Sequence, residues 1–221
     1  MSDKIICFGK NYQDHMHELG DKAVDRPVIF LKPLSVLKSC GQWGDALSLS
    51  FPEEEIHYEC ELAFKLKSGG YQLSREKASE ALGWYTIGLD MTKRILQSEL
   101  KKAGHPWTIG KVFPDAAIIG PWLPIENLDQ HLSIEFSFSV NNEIRQKDFG
   151  KNMLFSPIDL IVLASQYFPL CEGDIIFTGT PSGVGKINKN DRAKLRLENR
   201  FYEVEWSTAI HGNAHEARTR A

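Results

Sequence analysis

Glu59 and Glu61, two residues apart in IHYECELAFKLK, and Asp90, which closes the apolar run WYTIGLD, are of the type that holds hard divalent cations. From Ile56 to Lys67 the positions Tyr58, Cys60, Leu62, Phe64 and Leu66 are apolar, while His57, Glu59, Glu61 and Lys65 between them are polar. That alternation predicts a half-buried strand with both glutamates on one face, their bases about 6.6 Å apart at a rise of roughly 3.3 Å per residue. Carboxylates at that spacing either converge on one cation or repel each other. The same pattern also describes a strand surface facing water. Asp90 supplies a third acid, although its place ahead of Thr92 equally suits part of a helix cap.

Other groups could move protons or bind anions. His15 and Glu18 in CFGKNYQDHMHE are three apart, so on a helix the carboxylate orients the imidazole as in a general base, or both simply line a solvated face. His17 competes for the role from another side of that helix. Lys111, between Gly110 and the apolar Val112 and Phe113, is either a surface lysine or a cation aimed inward. The run TGTPSGVGK from Thr178 to Lys186 is not a nucleotide loop. Gly179 and Gly185 have the wrong spacing, and Ile187 stands where a magnesium-binding hydroxyl is needed. It suits a tight turn whose backbone donors face a small anion, or a structural loop between strands.

The elements that must carry these groups are legible in outline. Strands are predicted at Ile5 to Phe8, Val28 to Leu31, Trp84 to Leu89 and in DIIFTG, AKLRLE and RFYEVEW. LSIEFSFSV alternates from Leu132 to Val140, and Asn141–Asn142 suits a hairpin turn returning through Ile144. Helices are expected from Asn11 to Leu19, from Ser74 to Leu82, from Thr92 to Ala103 with a stop at Gly104, and from Ser156–Pro157 to about Tyr167. Without regular βαβ alternation, mixed α+β is favoured over a doubly wound sheet.

The chain has 221 residues, 42% of them hydrophobic and 25% charged, which is ordinary globular composition and enough to bury a core without disulfides. A formal charge of −3 gives no reason to expect a nucleic-acid partner. Cys7, Cys40, Cys60 and Cys171 are too scattered for a zinc site and read as reduced thiols. Neither a targeting segment nor a membrane span stands out, so a cytoplasmic location is expected. Residues 1–206 are read as one domain, and the tail 207–221, which lacks a core pattern, as disordered.

In order along residues 4–206, CFGKNYQDHMHE, FLKP, HYECEL, GLDMTKR, LKKAGHPWTIGK and GDIIFTGTPSGVG resemble the fumarylacetoacetate hydrolase family, in particular its short members similar to acylpyruvases and oxaloacetate decarboxylases. The resemblance implies an α+β mixed β-roll with peripheral helices, a homodimer, and Mg2+ (or Mn2+) held by Glu59, Glu61 and Asp90. It implies His15 and Glu18 as the catalytic dyad and Lys111 as the active-site lysine. Lys32, Arg94, Gln97 and Thr180 match positions near the substrate, a small 2-oxo or 2,4-diketo acid. The expected activity is hydrolysis of a C–C bond in an acylpyruvate, giving pyruvate and a carboxylate. Oxaloacetate decarboxylation, or isomerisation or tautomerisation of 2-oxo or 2-hydroxydienoic acids, is the alternative, with a non-catalytic keto-acid-binding module as a distant one. The extra N-terminal domain of the larger family members is missing, which argues against their name-giving substrate.

Overall fold

The computed structural model describes residues 2, 4–14 and 26–207. In chain order its strands are β1 (Lys4–Gly9), β2 (Val28–Pro33), β3 (Leu37–Ser39), β4 (Ala46–Ser50), β5 (His57–Tyr58), β6 (Cys60–Leu66), β7 (Leu82–Asp90) and β8 (Ala117–Ile119). There follow β9 (Leu123–Pro124), β10 (Glu135–Val140), β11 (Glu143–Phe149), β12 (Ile175–Phe177), β13 (Gly185–Lys186), β14 (Arg192–Leu197) and β15 (Arg200–Ser207). The α-helices described are α1 (Arg75–Ala81), α2 (Arg94–Lys102), α3 (Leu128–Leu132) and α4 (Pro157–Ser165).

Eight strands form one sheet in the order β2-β1-β12-β6-β7-β8-β3, with β9 also on β7; five form a second in the order β11-β10-β14-β15-β4; and β13 pairs with β5. Parallel pairs (β1 with β12, β3 with β8, β15 with β4) lie among antiparallel ones, so the expected α+β, mixed-sheet class holds. The register of β6 on β7 sets Glu61 opposite Gly88, and Asp90 N–H donates to Glu59 O at 2.9 Å. Pairing of these two central strands therefore brings the third acid beside the first two. A side chain at Gly88 would meet Ile118 O at 2.5 Å, so the close approach of β7 and β8 requires glycine there.

Several local expectations need correction. The segment from His57 to Leu66 is broken at Glu59 into β5 and β6, and it is covered on both faces: Glu59 is 8% exposed and Glu61 1%. Its alternation reflects a polar site buried inside the molecule, not a wet face. Thr92 does not cap α2. It bridges to His57, and the helix starts after Lys93 without a side-chain cap. Asn11 ties loops together, its amide donating to Phe155 O and Thr178 O and accepting from Phe155 N. Leu132 ends α3, so the hairpin strand starts only at Glu135, although Asn141 and Asn142 take the left-handed turn expected of them. Ser74 and Ser156 cap their helices as expected. The expected helix from Asn11 lies, beyond residue 14, outside the described residues, as does the tail from residue 208. No described helix is long and apolar enough to cross a membrane.

Candidate metal centre and cavity

Glu59, Glu61 and Asp90 each offer a carboxylate oxygen, and these oxygens lie within 4.8 Å of one another. Three cations are arranged around them. Lys111 Nζ stands 2.7 Å from Glu59 Oε2 and 2.6 Å from Asp90 Oδ2. Arg94, at the start of α2, pairs with the other oxygen of Glu59 and donates to Gln97 Oε1 at 2.9 Å. Lys32, on β2 and wholly buried, approaches Asp90 Oδ1 to 2.5 Å while its hydrogen bonds go to Met91 O and Ala116 O. Asp90 Oδ1 is consequently a buried oxygen close to a positive charge but without a directed hydrogen bond.

Glu61 is held differently. Its Oε2 accepts a 2.7 Å hydrogen bond from Gly179 N–H, in the loop after β12. Gly179 has φ +93, and a Cβ there would meet Asn11 Cβ at 3.0 Å and Phe8 O at 3.2 Å, so glycine is what lets the backbone donor reach the acid. Gln146, on β11, fixes this loop: its amide donates to Thr180 Oγ1 and Pro181 O, both at 2.8 Å, and accepts from Cys60 N at 2.9 Å. Thr180 Oγ1 in turn donates to Cys60 O at 2.8 Å. Sequence reading missed Gln146, because a glutamine within EIRQKDF looks like one more polar residue of an exposed strand. It is the buried position there, 1% exposed.

The electrostatics follow from these contacts. Burial opposes charge on Glu59, but Lys111 and Arg94 outweigh it and hold the carboxyl well below its usual range. Burial, reinforced by Asp90 and Glu59, pushes Glu61 well above its usual range, against the weaker pull of Gly179 N–H and Lys111. Burial also opposes charge on Lys111, yet Asp90 and Glu59 keep it protonated and raise it above an ordinary lysine. A divalent cation fits this donor set: three convergent carboxylates, one with an oxygen lacking a hydrogen bond and one destabilised by its neighbours for want of positive charge.

Beside the acids opens a cavity of about 310 Å³. Glu59, Glu61, Arg94, Gln97, Lys111 and Thr180 line it, with Phe30 and Trp107 as an aromatic wall whose ring centres are 5.0 Å apart. Lys111 Nζ sits 4.9 Å from the Phe30 ring centre. Gln97 packs on Gly110, where a side chain would come within 3.1 Å of Gln97 Cβ, so the short turn Thr108–Gly110 can press against α2 and aim Lys111 inward. The structure thus gathers Lys32, Glu59, Glu61, Asp90, Arg94, Gln97, Lys111 and Thr180, with Lys32 behind Asp90 rather than on the cavity wall. His15 and Glu18, the expected dyad, lie outside the described residues.

The family described as fumarylacetoacetate (FAA) hydrolase C-terminal matches residues 4–207. The oxaloacetate tautomerase FAHD2, mitochondrial, of Oryza sativa subsp. japonica is 37% identical over 196 residues, 89% of this chain and 87% of that protein. The crystal structure of fumarylpyruvate hydrolase from Pseudomonas aeruginosa in complex with Mn2+ and pyruvate is 33% identical, covers 93% of this chain and 89% of that one, and superposes with a TM-score of 0.86. That of 5-carboxymethyl-2-hydroxymuconate delta-isomerase from Mycobacterium smegmatis is 30% identical, with a TM-score of 0.76 over 93% of this chain and 78% of that one.

Proposed function

Because this chain belongs to the fumarylacetoacetate hydrolase family, we propose that it is a divalent-metal-dependent enzyme acting on the enol or enolate of a small 2-oxo acid, with oxaloacetate keto–enol tautomerisation as its reaction. The observation that carries this reading is the placing of Glu59, Glu61 and Asp90 within 4.8 Å of one another beside a cavity lined by Lys111 and Arg94. Mg2+ or Mn2+ is the cofactor proposed; once bound, such an ion supplies Lewis acidity that favours the enolate of a 2-oxo acid.

The chain's own residues account for the remaining requirements. Lys111, kept charged by Asp90 and Glu59, presents a fixed ammonium where negative charge builds on the substrate oxygen. Arg94, Gln97 and Thr180 on the cavity wall orient the carboxylate of the substrate. Lys32 holds Asp90 in place from behind. Tautomerisation breaks the C3–H bond and forms an O–H bond at the 2-oxo oxygen, so a group must take the proton from C3. We assign that proton to His15 oriented by Glu18, on the resemblance of the segment CFGKNYQDHMHE to that of the family.

A second reading is favoured by the fumarylpyruvate hydrolase structure at TM-score 0.86. In it the same dyad activates water for attack on the C4 carbonyl of an acylpyruvate, and cleavage of the C3–C4 bond releases pyruvate as its enolate. Decarboxylation of oxaloacetate would use the same enolate. Homodimerisation completes the proposal and rests on family resemblance.

The test is to strip the protein with a chelator and add back Mg2+ or Mn2+. Loss of enol absorbance from freshly dissolved oxaloacetate is then followed in parallel with pyruvate release from acetylpyruvate. Metal-dependent acceleration of the first without pyruvate supports tautomerisation, and pyruvate from acetylpyruvate makes hydrolysis the main activity. Thermal stabilisation by metal without turnover of either acid would favour a keto-acid-binding module.

A further inference from the structure

Helix α2 places Arg94, Gln97 and Lys101 at positions i, i+3 and i+7, on one face, and all three border the cavity. The first two stand beside the acids. Lys101 is two turns further on, about 10 Å along the axis at roughly 1.5 Å per residue, and helical side chains lean back toward the N-terminus, here toward Arg94. Its Nζ lies 5.1 Å from the ring centre of Trp107, which packs on Phe30. Lys101 is thus an exposed lysine at the rim whose ammonium is steadied by the aromatic wall.

The charges of the site can be counted. Glu59, Glu61 and Asp90 face Lys32, Arg94 and Lys111, three against three, and each of these cations touches a carboxylate. Lys101 borders the same cavity but forms no ion pair with a described carboxylate. Partial burial, then Arg94 and Lys111, press it below an ordinary lysine, as expected of a cation in a positive field. A divalent ion would add two positive charges, which the carboxylate and enolate oxygen of a 2-oxo acid head neutralise. Two further lysines border the cavity, Lys10 and Lys101; the charge of Lys101, held on the aromatic wall beside Trp107 at the end of the cavity away from that head, is then left over.

We propose that Lys101 is a specificity-determining residue that binds the distal carboxylate of the substrate, so that the site prefers C4 2-oxo dicarboxylates to 2-oxo acids with an apolar acyl tail. This rests on the 2-oxo acid reading of the site and deepens it. Lys101 takes no part in proton transfer. It supplies a charge-assisted contact made equally in the bound substrate and in the transition state, which acts on KM and leaves kcat alone.

The test compares wild type, Lys101→Ala and Lys101→Arg, all loaded with Mn2+. Calorimetry is done with L-malate and L-lactate, stable 2-hydroxy acids that differ at C3 by the distal carboxylate. Wild type is expected to bind malate about tenfold or more tightly than lactate. Lys101→Ala should remove that preference with lactate affinity unchanged, and Lys101→Arg should retain most of it. In turnover, Lys101→Ala should raise the KM for oxaloacetate about tenfold with kcat within about twofold. A wild type that binds malate no better than lactate, or a Lys101→Ala protein that keeps the preference, overturns the proposal. If wild type turns over neither oxaloacetate nor acetylpyruvate, the 2-oxo acid reading fails instead, whatever the malate and lactate titrations show. Melting at the wild-type temperature separates these outcomes from misfolding.

Discussion

Lys111 Nζ lies 2.6 Å from Asp90 Oδ2, both side chains almost wholly withdrawn from water, so that a candidate metal ligand helps to keep a buried lysine charged. Removing the lysine leaves two carboxylates buried with one cation fewer. Lys111→Met should therefore destabilise the metal-free protein by roughly 3–5 kcal/mol, the usual cost of breaking a buried pair from one side. Urea unfolding of the stripped protein measures this. Saturating Mn2+ should recover part of the loss without restoring turnover.

Glu59→Gln, Glu61→Gln and Asp90→Asn each delete one charge from the donor set. Each should weaken Mn2+ binding by more than the roughly 10–100-fold typical for loss of an outer partner of a ligand. Isothermal calorimetry on the three variants is decisive: wild-type affinity in any one of them removes that residue from the site.

The two glutamates titrate in opposite directions, and the pH dependence follows from the sign of each. Glu61 is raised above the unfolded value of about 4.3, so its contribution to metal-free stability is complete below that value and is lost as pH rises through the folded value. Glu59 is lowered, so its contribution is present above about 4.3 and lost only as pH falls through its depressed folded value. A cation requires ionised Glu61. The rise in melting temperature on adding Mn2+ should therefore grow with pH above about 4.3, with proton release in the calorimeter, and Glu61→Gln should flatten the dependence.

Gln146 tests the support of the site. Its loss leaves Cys60 N–H without its partner and frees the loop that carries Gly179 and Thr180. Gln146→Ala should cost about 1–3 kcal/mol in denaturant unfolding, the penalty of a buried donor left unsatisfied. Mn2+ affinity should fall with it, because Gly179 no longer positions Glu61. Unchanged metal affinity in a destabilised protein would make Gln146 a purely structural residue.

The acids and Lys111 were legible in the sequence because each carries a charge that an apolar environment must explain, whereas Arg94 came only from the family resemblance. Their mutual arrangement was less so. Period-two alternation places Glu59 and Glu61 on one face but does not say whether that face is wet, since residues packed from distant parts of the chain decide it: the 179–182 loop, Lys111 and α2. The same reasoning misjudged Thr92 and Asn11, whose side chains suit local caps but are used in contacts across the fold. Gln146 is neutral and sits in a polar segment, so nothing short of the folded register reveals that it is buried. Strand positions were read well where turn chemistry punctuates the chain, as at Asn141–Asn142, and poorly where a short helix such as α3 runs into a strand.

Trp107 gives the cavity an optical signal of its own. The chain has five tryptophans, and Trp107 is the one that lines this cavity, between Phe30 and the ammonium of Lys101. Indole emission responds to nearby charge and to displaced water, so an acid entering the pocket registers as a change in the fluorescence of a single side chain. Ligand occupancy can then be read in the unlabelled protein, at equilibrium and during mixing, independently of any chemistry that follows.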